Sequence, residues 1–316
     1  MPSIVRWLPG VGDPAYCRFV VLGLSILAAA SALLLILRGS SRREATGVQH
    51  AWVATRAWFV MLPAILLTIG LGPGVFIVAV CAVSLGCVKE FARATGLYQD
   101  WLFVGTVYAG IVALFWSAWL AWYGLFVALP VFGITTIFLL PSLRNRYEGM
   151  IQRVGLSTIA FIYLGWFLAH LAYLANSPSG YGYLVFLVLG VELSDAAGFT
   201  FGKFFGRHPL ISEISPRKTQ EGAFGSLLVT TVYVLGVRHW LHGFGTRELG
   251  FSILIIWLGG LFGDLVISFV KRDLGIKDMG TLIPGHGGLL DRFDSLVFTS
   301  PLFFHMVNHY IGFPAR

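Results

Sequence analysis

Charge is what this chain has least of. Asp, Glu, Lys and Arg make up 12% of its 316 residues, against 57% hydrophobic residues. Soluble domains carry about a quarter charged residues. A water-soluble body of this length is excluded, and a polytopic membrane protein is what remains. Cysteine is nearly absent too. Cys17, Cys81 and Cys87 are the three present, too few for a disulfide framework. Cys81 and Cys87 fall in an apolar run, where cysteine serves as a small hydrophobe. The chain has no HExxH, no GxSxG and no GxxxxGK[ST], which removes the zinc-protease, nucleophile-elbow and P-loop classes. His305 and His309 stand four apart in the last apolar run, but no third ligand is near in sequence. The net charge of +7 is not a nucleic-acid footprint, because most Lys and Arg sit where apolar runs end. Membrane orientation accounts for them there, and no nucleic-acid partner is expected.

The apolar runs predict an all-α integral membrane bundle of about ten spans, near residues 19–37, 57–71, 74–88, 102–119, 125–140, 155–175, 183–205, 223–237, 249–270 and 295–311. Residues 1–56 read as an N-terminal extension with one extra span, and 57–316 as the main membrane domain. If the first span exits to the cytoplasm, 17 of the 22 Lys and Arg lie inside, as the positive-inside rule requires. That orientation puts Asp195, the loop 207–222 and the loop 271–294 on one cytoplasmic face. The tryptophans Trp101, Trp116, Trp119 and Trp122 cluster at span ends as an interfacial belt.

Residues 268–294 are too polar and too rich in glycine to be a simple connector. Asp264 lies late in an apolar run, and an acid there faces a cavity or a partner. Asp291 and Asp294 are three apart, so a helix beginning there would present both on one face. Three such carboxylates can hold Mg²⁺, a hard cation that takes oxygen ligands and leaves positions open for phosphates. The structural alternative has Asp291 capping the helix and Asp294 pairing with Arg292. Lys271, Arg272 and Lys277 suit phosphate oxygens, and snorkelling to headgroups is the competing reading. Gly285, Gly287 and Gly288 around His286 permit a turn whose N–H groups cradle an anion. Ser215, Lys218 and Glu221 offer a hydroxyl, a cation and an acid just before a helix. They read either as a plain helix start or as a second wall of a nucleotide site. Gly198, Gly202 and Gly206 recur every four residues, the spacing of close helix packing in lipid.

The run Ser268-x-x-Lys271-Arg272, then Lys277-Asp278, then Pro284-Gly285-His286-Gly287-Gly288-x-x-Asp291-Arg292-x-Asp294 resembles the signature of the phosphatidate cytidylyltransferases, the CDP-diacylglycerol synthases. The resemblance covers roughly residues 60–311. Gln220 stands where the family commonly has Trp, and Ala196 follows Asp195 where Thr or Ile is more usual. The resemblance implies transfer of a cytidylyl group from CTP to phosphatidic acid, releasing pyrophosphate. It implies Mg²⁺ on Asp264, Asp291 and Asp294, with a monovalent cation such as K⁺ nearby, and a homodimer. Lys271, Arg272, Lys277, Asp278, His286 and Arg292 would carry the reaction. Ser215, Lys218, Glu221, Ser268, Gly287 and Gly288 would line the substrates. The expected place is a bacterial inner membrane with the site facing the cytoplasm. A CTP-dependent lipid-alcohol kinase and a non-catalytic transporter or scaffold stay open as alternatives.

Overall fold

The computed structural model describes residues 8–40, 45–280 and 287–312. Among these, ten long helical segments follow the apolar runs. They are α1 (Pro14–Ser40), α2 (Ala45–Gly70), α3 (Pro73–Ala94), α4 (Trp101–Trp119), α5 (Tyr123–Leu143), α6 (Met150–Leu174), α7 (Gly180–Phe205), α8 (Gln220–Val237), α9 (Thr246–Asp273) and α10 (Leu290–Tyr310). The protein is a polytopic helical membrane protein. Among the described residues, seven helices are long and apolar enough to cross a membrane: α1, α3, α4, α5, α6, α7 and α9. The three that fall short of that measure have local reasons. The apolar part of α2, Trp58–Gly70, is short. α8 begins on the polar Gln220-Glu221-Gly222, and α10 opens with Asp291, Arg292 and Asp294.

Helix starts follow the local chemistry. Asp13 precedes Pro14, and its carboxylate accepts the Ala15 and Tyr16 N–H groups at 2.8 and 3.3 Å, so α1 begins with a capped first turn. Thr219 caps α8 by accepting from Gly222 N–H at 3.1 Å. The loop before α8 departs from the all-helical expectation. It holds a small antiparallel pair, β1 (Pro209–Ile211) with β2 (Ser215–Thr219), which places Ser215, Arg217 and Lys218 on a defined strand. α6 also departs from regularity, running as a π-helix over Ala160–Trp166. Its Phe161 is fully buried and wedges against Gly110 of α4 and Gly133 of α5.

Apolar side chains supply little drive for helix association in lipid, so close backbone approach and polar contacts matter more. α9 crosses α10 where a Cβ on Gly263 would meet the backbone of Asp294 and Ser295, and one on Gly259 would meet Thr299. α7 meets α8 where Gly222 lies against the Gly198 carbonyl. The glycine ladder of α7 is therefore a packing surface. The two pairs are joined in turn where Trp257 of α9 donates to the Ala223 carbonyl of α8 at 2.8 Å and where Gly190 of α7 lies against Ile256 of α9. Trp101, Trp116, Trp119 and Trp122 are exposed, as a belt requires.

Candidate functional site

A cavity of about 380 Å³ opens between α7, β2, the start of α8, α9 and α10. Five acids line it: Asp195 from α7, Asp264 from α9, Asp278 from the loop, and Asp291 and Asp294 from α10. Four cations face them: Arg217 and Lys218 from β2, Lys271 from α9 and Arg292 from α10. Ser194, Ser215 and Ser295 add hydroxyls.

Helical spacing aligns the α9 contributions. Asp264, Ser268 and Lys271 recur at four and three residues, which puts them on one face. The Ser268 hydroxyl donates to Asp264 Oδ1 at 3.1 Å. Asp264 Oδ2 pairs with Lys218 Nζ at 2.8 Å, and the same ammonium donates to the Leu261 carbonyl at 3.2 Å. Lys271 Nζ pairs with Asp291 Oδ1 at 2.8 Å. Asp291 Oδ2 accepts two backbone N–H groups, from Met279 at 2.9 Å and Gly288 at 3.0 Å. Gly287 sits at φ +82°, and a Cβ there would press on Asp291 Oδ2 at 3.1 Å and approach Asp278 Oδ1 at 3.4 Å. Glycine is needed at 287 for both reasons. Asp294 is buried and accepts the Ser295 N–H at 2.7 Å, while the Ser295 hydroxyl donates to the Gly260 carbonyl at 3.1 Å.

Of the residues expected to act, Ser215, Lys218, Asp264, Lys271, Asp278, Asp291, Arg292 and Asp294 line this one cavity. Ser268 stands behind Asp264, and Gly287 and Gly288 adjoin Asp291. Three others are placed elsewhere. Arg272 is exposed and donates through Nε to the Ile214 carbonyl at 3.3 Å, tying α9 to the turn of the hairpin. Lys277 is exposed on the loop. Glu221 binds the His208 ring at 2.6 Å and accepts the Arg207 and His208 N–H groups at 3.1 and 3.3 Å. The His208 contact, with the backbone donors behind it, holds the Glu221 carboxyl down at about 2. It closes the hairpin. His286 lies outside the described residues.

Asp195 and Arg217 belong to the cavity although motif spacing assigned them no role. An acid inside an apolar helix was the available signal for Asp195. For Arg217 the signal was the cation pair it forms with Lys218.

The candidate ligands Asp264, Asp291 and Asp294 are all carboxylates lining the cavity, the donor type that a hard divalent cation takes. No group of three or more His, Cys, Asp or Glu side chains among the described residues is gathered closely enough to hold a metal. Two of the three expected ligands are engaged with ammonium groups instead. Lys218 and Lys271 neutralise Asp264 and Asp291.

The fold and the cavity together define a polytopic helical membrane protein with a mixed-charge cavity at one end of its bundle. Within that class the chain belongs to the cytidylyltransferase family, whose sequence profile matches residues 52–310. It is 36% identical over 160 residues to a phosphatidate cytidylyltransferase of Staphylococcus aureus (strain COL), covering 50% of this chain and 60% of that protein. It is 33% identical over 203 residues to a phosphatidate cytidylyltransferase of Mycobacterium bovis, covering 57% and 64%. It is 38% identical over 164 residues to the uncharacterized protein YnbB of Escherichia coli (strain K12), covering 49% and 55%. The matched stretches thus span between about half and two-thirds of these relatives' length. α1 lies outside the family match.

Proposed function

We propose that this protein transfers the cytidylyl group of CTP to phosphatidic acid, yielding CDP-diacylglycerol and pyrophosphate. The single observation that carries the reading is the cavity in which Asp264, Asp291 and Asp294 share walls with Lys218, Lys271, Arg217 and Arg292. A phosphate oxygen of the lipid attacks the α-phosphorus of CTP. A new phosphoanhydride bond forms, the bond from the α-phosphorus to the oxygen bridging it to the β-phosphorus breaks, and pyrophosphate leaves with the electron pair. The lipid phosphate is already an anion, so no general base is required. The obstacle is repulsion between two polyanions and the charge that builds on the leaving group, which positioned cations relieve.

Asp264, Asp291 and Asp294 would hold Mg²⁺, which when bound supplies charge neutralisation at the phosphates. Lys218 and Lys271 rest on Asp264 and Asp291 and turn to the phosphates when the nucleotide enters. Arg217 and Arg292 offer the planar fork that suits phosphate oxygens, and Ser215 adds a hydroxyl on the strand side. Lys277 and Arg272 act from the cavity's approach rather than its wall. Asp278 stands against the Gly287 turn and keeps it open toward the cavity. The protein works as a homodimer in a bacterial inner membrane, with the cavity facing the cytoplasm where CTP is found and phosphatidic acid entering from the bilayer.

The test uses membranes carrying the protein, supplied with phosphatidic acid, Mg²⁺ and CTP labelled on either the α- or the γ-phosphate. Label from the α-phosphate should pass into lipid with release of pyrophosphate. Label passing only from the γ-phosphate would make the protein a lipid kinase, and no transfer of either would end the catalytic reading.

A further inference from the structure

Glu90 lies in the last two turns of α3, with Lys89 before it and Arg93 after it. Cations suit that end of a helix, and an acid does not. The carboxylate is spent on another helix. Its Oε1 accepts the Leu289 N–H at 2.9 Å and its Oε2 accepts the Leu290 N–H at 3.0 Å, from donors 199 and 200 residues away. These are the first N–H groups of α10. The position that should cap α10 is Leu289, which has no side-chain acceptor to offer. α10 therefore takes its cap from α3.

The same carboxylate meets both ends of the Gly-rich loop. A Cβ on Gly280 would come within 2.5 Å of Glu90 Oε1, and one on Gly288 within 2.5 Å of Glu90 Oε2. Gly288 also abuts the Gly280 backbone, since its Cβ would sit 2.7 Å from Gly280 N. One turn earlier in α3, a Cβ on Gly86 would meet Leu289 Cδ2 at 2.7 Å, so α3 and the start of α10 have no slack between them. The consequences reach the cavity at once. Met279 and Gly288, whose N–H groups hold Asp291 Oδ2, are the immediate neighbours of Gly280 and Leu289. Asp291, Arg292 and Asp294 follow within five residues of the capped N–H groups. Glu90 itself does not line the cavity.

We propose that Glu90 is a positioning residue: its carboxylate pins both ends of the loop and the start of α10, and so sets the rotation of α10 that aims Asp291 and Asp294 into the cavity. Its importance for turnover rests on the cytidylyl-transfer reading, but the capping contact does not.

The experiment compares the full-length protein in lipid nanodiscs with Glu90→Gln and Glu90→Ala. Gln keeps the side chain's shape and one oxygen acceptor, so it serves if Ala fails to fold. Backbone hydrogen exchange at Leu289 and Leu290 should be faster in both variants, with α4 and α7 exchanging as in the parent. Turnover should fall on the order of 10²-fold for Ala and about tenfold for Gln, with the CTP KM changed little, because an aim rather than a contact is lost. A variant that only loosened the fold would speed exchange throughout the bundle. Unchanged exchange at Leu289 and Leu290 overturns the proposal, as does a KM defect without a kcat defect. Loss of protection at those two amides in a protein that transfers no cytidylyl group would sink the functional reading and leave the clamp standing.

Discussion

Two clusters of opposite charge sit where polar loops meet helix ends, and they are built differently. In the first, Asp100 precedes α4 and is buried, and both Arg144 at the end of α5 and Arg153 in α6 pair with its Oδ2, the former at 2.7 Å. Two cations converge on one buried acid, and three helices are tied together. In the second, five acids face four cations around an open volume, and Lys218 and Lys271 each hold a carboxylate by one ammonium. The first cluster has cation to spare around a single buried acid. The second has acid to spare and room for a guest. An ion pair alone thus says little about function, whereas spare acid around an open volume says more.

The comparison can be broken by substitution, and the largest effect should come from Asp291→Asn. It removes the partner of Lys271 and the formal charge a cation would need. Turnover is expected to fall by a factor on the order of 10³ or more, with the helical signal in circular dichroism unchanged. Retained turnover would reduce Asp291 to a helix cap. Lys271→Met should come next, with a loss of about 10²-fold in kcat/KM, read from CTP saturation curves at fixed lipid. The first cluster should respond in the opposite currency. Asp100→Ala leaves two arginines uncompensated and should destabilise by about 1–3 kcal/mol, a figure discounted because they are 30% and 40% exposed. Turnover per folded molecule should hold. Thermal unfolding in detergent together with an activity titration would separate the two.

The smallest effect belongs to Glu221. Its folded-state value is depressed to about 2, so its contacts add stability above the ordinary carboxyl range and lose it as the pH falls toward 2. Protection of the Arg207 and His208 amides, measured against their intrinsic exchange rates, should hold from neutral pH to about 4 and decline as the pH falls toward 2. In Glu221→Gln that step should vanish. A step that persists would mean another acid closes the hairpin.

Much of this was legible in the residues. Ten apolar runs appear as ten helical segments because long hydrophobic stretches in a bilayer have few alternatives to the helix. Seven pass as spans on their own, whereas α8 and α10 carry polar residues into their first turns, where hydropathy weakens. An acid late in α9 and two acids three apart at the start of α10 placed Asp264, Asp291 and Asp294 on one cavity, but not their pairing with Lys218 and Lys271, which come from other elements or other turns. What could not be read has a common cause, which is dependence on distant partners. The run Lys89-Glu90-Phe91 resembles the family's Glu-aromatic pair after an early span, but the partners of Glu90, 199 and 200 residues away, appear only when α10 is set against α3. Glu221 looked like a wall of the site until His208 folded back onto it. The hairpin was hidden because a five-residue strand before a helix leaves little period to detect.

The most direct test of the central claim, that the open cluster is where the nucleotide sits, is binding of a non-hydrolysable CTP analogue to purified protein in nanodiscs. Parent protein and Asp100→Ala should bind alike, while Lys218→Gln and Lys271→Gln should each weaken binding at least tenfold, the loss of about one charge-assisted contact. Equal binding by both lysine variants, or a loss confined to Asp100→Ala, would contradict the account.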